Sequence, residues 1–157
     1  MASAVAEQHI RSKHLFQVWD HDPDTTNAIV CTPDAGTTDR YVDMRDYERF
    51  AAIAMPTVVA AGGLTKLEIV ASSDTAGADL TVIKDSGTIA ADAAKTDWAI
   101  LECSADEIAQ AGASSSLALR YVAARLTNAT NTDECVVVYF GCSNRPRLDL
   151  TPATTIS

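Results

Sequence analysis

The sequence predicts an all-β fold: an antiparallel β-sandwich, jelly-roll-like, with one short helix and extended terminal arms. Three observations carry that expectation. Short β-like runs, roughly seven to ten of them, are separated by turn residues. A single stretch, opening at Ser104, has the form of a capped helix. The run 135–140 is apolar on both faces, as fits a strand that lies centrally in a sheet or under a partner subunit. Many strands and one stub helix bury their apolar faces most simply as two stacked sheets.

Taken in order, residues 1–14 mix Ala, Glu, His, Arg and Lys without periodicity and read as an N-terminal arm. The domain proper spans 15–142. It opens with a strand at 15–19, followed by a loop at Asp20-His21-Asp22-Pro23-Asp24, where proline lacks a donor and aspartates favour turns. Residues 28–31 resume a β-like run that Pro33-Asp34-Ala35-Gly36 ends, and 40–44 form a further short strand. Alanines at 51, 52 and 54 blur the periodicity of 48–55, and Pro56 with Val58-Val59 tips it towards strand. Gly62-Gly63 reads as a hairpin turn. From Leu64 the alternation is clear: Thr65, Leu67, Ile69 and Ala71 share one face, with Lys66, Glu68 and Val70 on the other, a half-buried strand. A polar turn at 72–77, a strand at 80–83 and the reversal Asp85-Ser86-Gly87 make 64–90 a hairpin or meander.

Residues 98–103 form the next strand. Ser104-Ala105-Asp106-Glu107 then predicts a capping box, in which Ser104 accepts from the Glu107 amide and the Glu107 carboxylate reaches back, with both acids at the positive end of the helix dipole. Gly112 is expected to end the helix. A long strand at 117–127, a polar turn at 128–131 and the central strand 135–140 complete the domain. From 143 to 157, Pro146, Pro152 and the threonines indicate a C-terminal extended arm.

Composition narrows the function classes. Twenty-one acidic against 12 basic side chains give a formal charge of −9, and no Lys/Arg cluster is dense enough for a phosphate backbone, so nucleic acid is not an expected partner. No run approaches the roughly 20 apolar residues of a membrane span; 50–61 is broken by Pro56. Residues 1–11 lack the basic head and unbroken apolar core of a signal peptide, so a soluble protein that keeps its thiols reduced is expected. Cys31, Cys103, Cys135 and Cys142 show no metal or redox spacing and read as small core hydrophobes. Cys135 and Cys142, seven apart on one strand, point to opposite faces and cannot bridge.

Constellations with chemistry are few. Asp20, Asp22 and Asp24 open a calcium-loop pattern that then fails, with Thr25 where glycine is needed and Cys31 where a bidentate glutamate is needed; an acidic solvated loop is expected. His9, His14 and His21 lie five and seven apart, not at zinc spacing, and no nucleophile elbow is present. No cofactor and no catalysis are expected. Arg120 and Arg125 interrupt an apolar strand and need carboxylate partners, either within the fold or across a subunit contact.

Several segments carry a family resemblance: Tyr41-Val42-Asp43-Met44 with Tyr47-Glu48-Arg49-Phe50, the strand 64–73 ending in serines before Asp74, the segment 98–107, and Leu119-Arg120-Tyr121-Val122. Together, over residues 40–142, they resemble the small structural proteins of tailed bacteriophages: head decoration, cement or minor capsid components. The resemblance implies a non-enzymatic protein on the capsid exterior of the virion, made in the host bacterial cytoplasm. Its partner would be the phage major capsid protein, and its own state a homotrimer, or else a dimer. Self-association is expected through Phe50, Tyr121, Val138 and Phe140. Shell contact is expected through His14, Leu15, Phe16 and Trp19 and through Arg145, Arg147, Leu148 and Leu150. The alternatives are a tail or connector component, and a glycan-binding β-sandwich using Trp19 or Trp98, against which Trp98 at a core strand argues.

Overall fold

The computed structural model describes residues 14–21, 30–31, 41–89, 98–130 and 132–142. In chain order the elements are β1 (His14–His21), β2 (Val30–Cys31), β3 (Val42–Asp43), a single 3-10 turn at Met44–Asp46, β4 (Arg49–Val58), β5 (Leu64–Ser72), β6 (Thr81–Asp85), β7 (Ala99–Ser104), α1 (Ala105–Ser115), β8 (Tyr121–Asn128) and β9 (Glu134–Cys142). They form two sheets, and every described pairing is antiparallel. The first sheet runs β1-β9-β4-β7; the second runs β2-β8-β5-β6, with β3 also on β8. The result is the all-β sandwich with one short helix that the sequence predicts.

The core lies between the sheets. Phe50, Ala52 and Ala54 of β4 and Cys135, Val137 and Tyr139 of β9 face Leu67, Ile69 and Ala71 of β5 and Val122, Ala124 and Leu126 of β8. Phe50 and Tyr139 meet ring to ring, centroids 5.6 Å apart and tilted by 39°, an arrangement that suits aromatic quadrupoles. The alanines of β4 keep that strand thin, so the larger side chains opposite fill the space. β9 is central, between β1 and β4, as its two-sided apolar run requires.

Several expectations are corrected. β1 continues through Asp20 and His21, which pair with Val136 and Cys135 instead of forming a loop. The ladder with β9 outweighs the turn preference of a single aspartate. Residues 40–44 give only the two-residue β3, because Met44 turns into the 3-10 segment where the Asp43 side chain accepts from the Arg45 amide. Gly62-Gly63 carries the chain from the first sheet to the second; it does not close a hairpin. β5 is buried on both faces, Glu68 and Val70 included. Pro56 is inside β4, beyond the last β7 pairing at Ala54 and next to a register shift against β9, where its missing donor is tolerated.

The helix also outlasts its expected end. Its capping box forms, with Ser104 Oγ accepting from the Glu107 amide at 3.2 Å and the Ser104 amide donating to Glu107 Oε2 at 2.8 Å. Gly112 does not stop it; Ser116 does, in the left-handed region at φ 58. Gly112 is there for space: a Cβ on it would stand 2.6 Å from the Leu117 carbonyl oxygen. Residues 117–120 consequently wrap the helix end, and β8 begins at Tyr121.

Candidate functional site: the outer face of the first sheet

Alternation decides which side chains the first sheet turns outward. Opposite the buried Phe50, Ala52 and Ala54, β4 presents Arg49, Ala51, Ile53 and Met55. Opposite Cys135, Val137 and Tyr139, β9 presents Glu134, Val136, Val138, Phe140 and Cys142. β7 presents Ile100 and Glu102. Register lines these up in rows across the strands: Ile100, Ile53 and Val138 in one, Glu102, Ala51 and Phe140 in the next. Ile100 is 63% exposed, and Trp98, one residue before β7, is 64% exposed. Apart from their sheet neighbours, the described elements that pack most closely on β4, β7 and β9 are β5, β6 and β8 of the second sheet and α1.

On β4, β7 and β9, charge is confined to the two ends of this face. At one end Arg49 Nη1 lies 3.6 Å from Glu102 Oε1. At the other, Glu134 pairs with Val58. Between them the side chains of β4 and β9 are aliphatic and aromatic and half-buried, and Ile100 of β7 is exposed, on a chain of charge −9. Cys142 lies beside the charged end, its thiol pushed up by burial and by Glu102 and therefore a poor nucleophile at neutral pH.

The polar clusters elsewhere are consumed within the fold. Arg120 donates through Nε to Asp43 Oδ1 at 2.7 Å and through Nη2 to Asp43 Oδ2, while its guanidinium carbon sits 4.9 Å from the Tyr121 ring centre. Arg120 and then Arg45 hold the Asp43 carboxyl far below the usual carboxylate range, against the effect of burial. Arg125 Nε donates to Glu68 Oε2 at 2.6 Å and Lys66 Nζ to Glu68 Oε1 at 2.8 Å. Both arginines that the sequence left open therefore meet their carboxylates inside the fold. Asp79 accepts from the hydroxyls of Ser72 and Ser73, and from the Ser73 amide at 3.0 Å.

Asp133, fully buried, accepts from the amides of Ala60 (2.7 Å) and Ala61 (3.0 Å) through Oδ1 and from the Thr130 amide and hydroxyl (both 3.0 Å) through Oδ2. Burial pushes the Cys103 thiol up to about 12. Among the described residues no three His, Cys, Asp or Glu side chains converge as a metal site, and no described helix is long and apolar enough to cross a membrane.

The four expected self-association residues are separated. Val138 and Phe140 share the outer face of the first sheet; Tyr121 is half-buried on the second sheet; Phe50 is fully enclosed in the core, its ring taken up by Tyr139. His14, Leu15, Phe16 and Trp19 belong to β1, opposite Cys142, Gly141, Phe140 and Val137. Arg145, Arg147, Leu148 and Leu150 lie outside the described residues, as do Asp22 and Asp24 and most of both arms. Trp98 is exposed and precedes its strand, contrary to the core placement expected of it. Sequence reasoning missed Ile53, Met55, Ile100 and Val136 as one surface. The signal was there in the i, i+2 pattern of β4, but only the register joins it to β7 and β9.

Comparison of the chain with family models, with curated proteins and with solved structures returned no match.

Proposed function

We propose that this chain is a non-enzymatic structural protein of a phage virion, which binds the outer surface of the capsid shell as a small homo-oligomer and reinforces it. The observation that carries the interaction part of this reading is the apolar, charge-poor outer face of the first sheet, with Ile100 63% exposed. The shell as partner rests on the resemblance of residues 40–142 to phage head decoration proteins. Negative charge fits a place outside the shell better than one against packaged DNA.

The ladder adds a point of support. His14 pairs with Cys142, so the segments 1–13 and 143–157 join the domain at neighbouring strand ends. Stabilisation would follow mass action: a ligand that binds only the expanded shell favours that state by its differential binding free energy.

The test is co-sedimentation of the purified chain with shells of its parent phage that lack it, before and after expansion. Saturable binding to expanded shells with a raised melting temperature is the expected result; no binding to either form overturns the proposal. Exposure of Trp98 favours one second reading, glycan stacking, which a glycan array separates from shell binding.

A further inference from the structure

We propose that the outer face of the first sheet is the contact between two copies of this chain, packed face to face across a two-fold axis that lies in the interface perpendicular to the strands. The inference rests on the shape and charge of the face and holds whether or not the partner assembly is a phage shell.

Size comes first. Four strands spaced about 4.8 Å apart and rising about 3.3 Å per residue make a face of roughly 20 by 25 Å, about 500 Å² in projection before side-chain relief is counted. A standard stable interface buries about 800 Å² per partner, so the face is of the right order for one pairing and leaves little over. Its centre is depleted of charge and holds Ile53, Val138, Met55, Val136 and Phe140, the composition of an interface core. Two sheets stacked through such side chains repeat the packing already used inside the sandwich.

Charge then selects the occupant and its orientation. Rotation about an axis across the strands keeps β4 over β4 and reverses its ends. Arg49, at the start of β4, then approaches Glu134 of the second copy, which borders the far end of β4 through its pairing with Val58. The reciprocal contact forms at the other end, as a two-fold requires. An axis parallel to the strands would instead bring Glu134 towards Glu134 and Arg49 towards Arg49, like charges in both cases. Ile53 and Val138 pair with each other near the midpoints of β4 and β9, so in the favoured arrangement they lie on the axis and meet their own copies.

Sedimentation equilibrium on the full chain tests this, with Ile100→Glu, Ile53→Glu and Val82→Glu, the last 41% exposed on the second sheet and serving as a control. The expected result is a wild-type dimer, an Ile100→Glu dissociation constant raised about tenfold or more, a monomeric Ile53→Glu, and no change for Val82→Glu. Arg49→Glu and Glu134→Arg each weaken the dimer, and together they restore it. Melting curves establish that each variant is folded; Ile100→Glu, at an exposed rim position, keeps the test decisive should Ile53→Glu unfold.

A wild-type chain monomeric at about 100 μM, or a dimer indifferent to both isoleucine changes, overturns the proposal. A monomeric chain whose shell binding is abolished by Ile100→Glu also overturns it, assigning the face to the capsid protein and leaving the shell-binding reading intact. A dimer with the expected mutational pattern and no shell binding does the reverse.

Discussion

Replacing Asp133 by alanine removes a side chain that ties the loop after β4 to the connection between β8 and β9. Its carboxylate accepts four hydrogen bonds, three from backbone amides and one from a hydroxyl, and the residue is fully buried. Hydrogen bonds to a charged acceptor are worth about 1.5–3 kcal/mol each, and a stranded buried donor costs a similar amount. A simple sum would exceed 6 kcal/mol, but Ala60 and Ala61 are exposed, so water replaces some of the lost acceptor. A net loss of about 3–4 kcal/mol is expected, near the top of the range for single substitutions.

For a chain of this length that lowers the melting temperature by about 10 °C. Asp133→Asn keeps an oxygen for Ala60 and Ala61 but turns an amide donor on Thr130, and should cost about 1–2 kcal/mol. Urea unfolding followed by circular dichroism measures both, with an unchanged slope showing that the denatured state is the same. An alanine variant within about 1 kcal/mol of wild type, or an asparagine variant as costly as alanine, refutes the reasoning.

Three further outcomes are expected. Gly112→Ala should destabilise by about 1–3 kcal/mol, although alanine for glycine in a helix ordinarily gains about 1, because the new Cβ would sit 2.6 Å from the Leu117 carbonyl oxygen; thermal melting decides the sign. Arg125→Met leaves the buried Glu68 carboxylate with Lys66 alone and should cost about 2–4 kcal/mol, most of it recovered in the double variant with Glu68→Leu, as a double-mutant cycle of urea midpoints would show. Stability should be flat above about pH 5.5 and fall as the pH drops from about 4.5 towards 2.

The sign follows from the carboxylates concerned. Lys84 and the Ser104 amide hold Glu107 down at about 2, and Arg120 holds Asp43 lower still, against ordinary values of 4.5 and 3.8. Glu68 and Asp133 are raised by burial, but Arg125 and Lys66 in one case and the Ala61 and Ala60 amides in the other outweigh it. Groups whose folded pKa is depressed contribute their full stability above the unfolded value and lose it as they protonate. A urea midpoint that rose on acidification would contradict this.

Local signals that need only neighbours in sequence were legible. The Ser104 capping box, the alternating core face of β5 and the central placement of β9 each rest on a spacing of two to four residues, and each stands in the structure. Signals that need a partner far along the chain misled or were silent. Gly112 has the sequence look of a helix stop and is instead a contact point for Leu117. Asp20 and His21 look like a loop and are held in β1 by β9, more than a hundred residues away. Phe50 and Trp98, both aromatic at strand starts, exchange their expected places: the first is enclosed, the second exposed.

The candidate face was the least legible part. Nothing local distinguishes the outward Ile53 from the inward Ile69, since both alternate with other residues on strands.

The sequence by itself thus determined the class of fold, the cap of its helix and the acidic charge. Each follows from composition or from a short periodicity that the backbone geometry enforces. Tertiary structure decided which aromatic is core, which arginine meets which carboxylate, and which apolar side chains form one surface. Those depend on register between strands distant in the chain, and a one-residue shift in register would have turned every one of them to the other side.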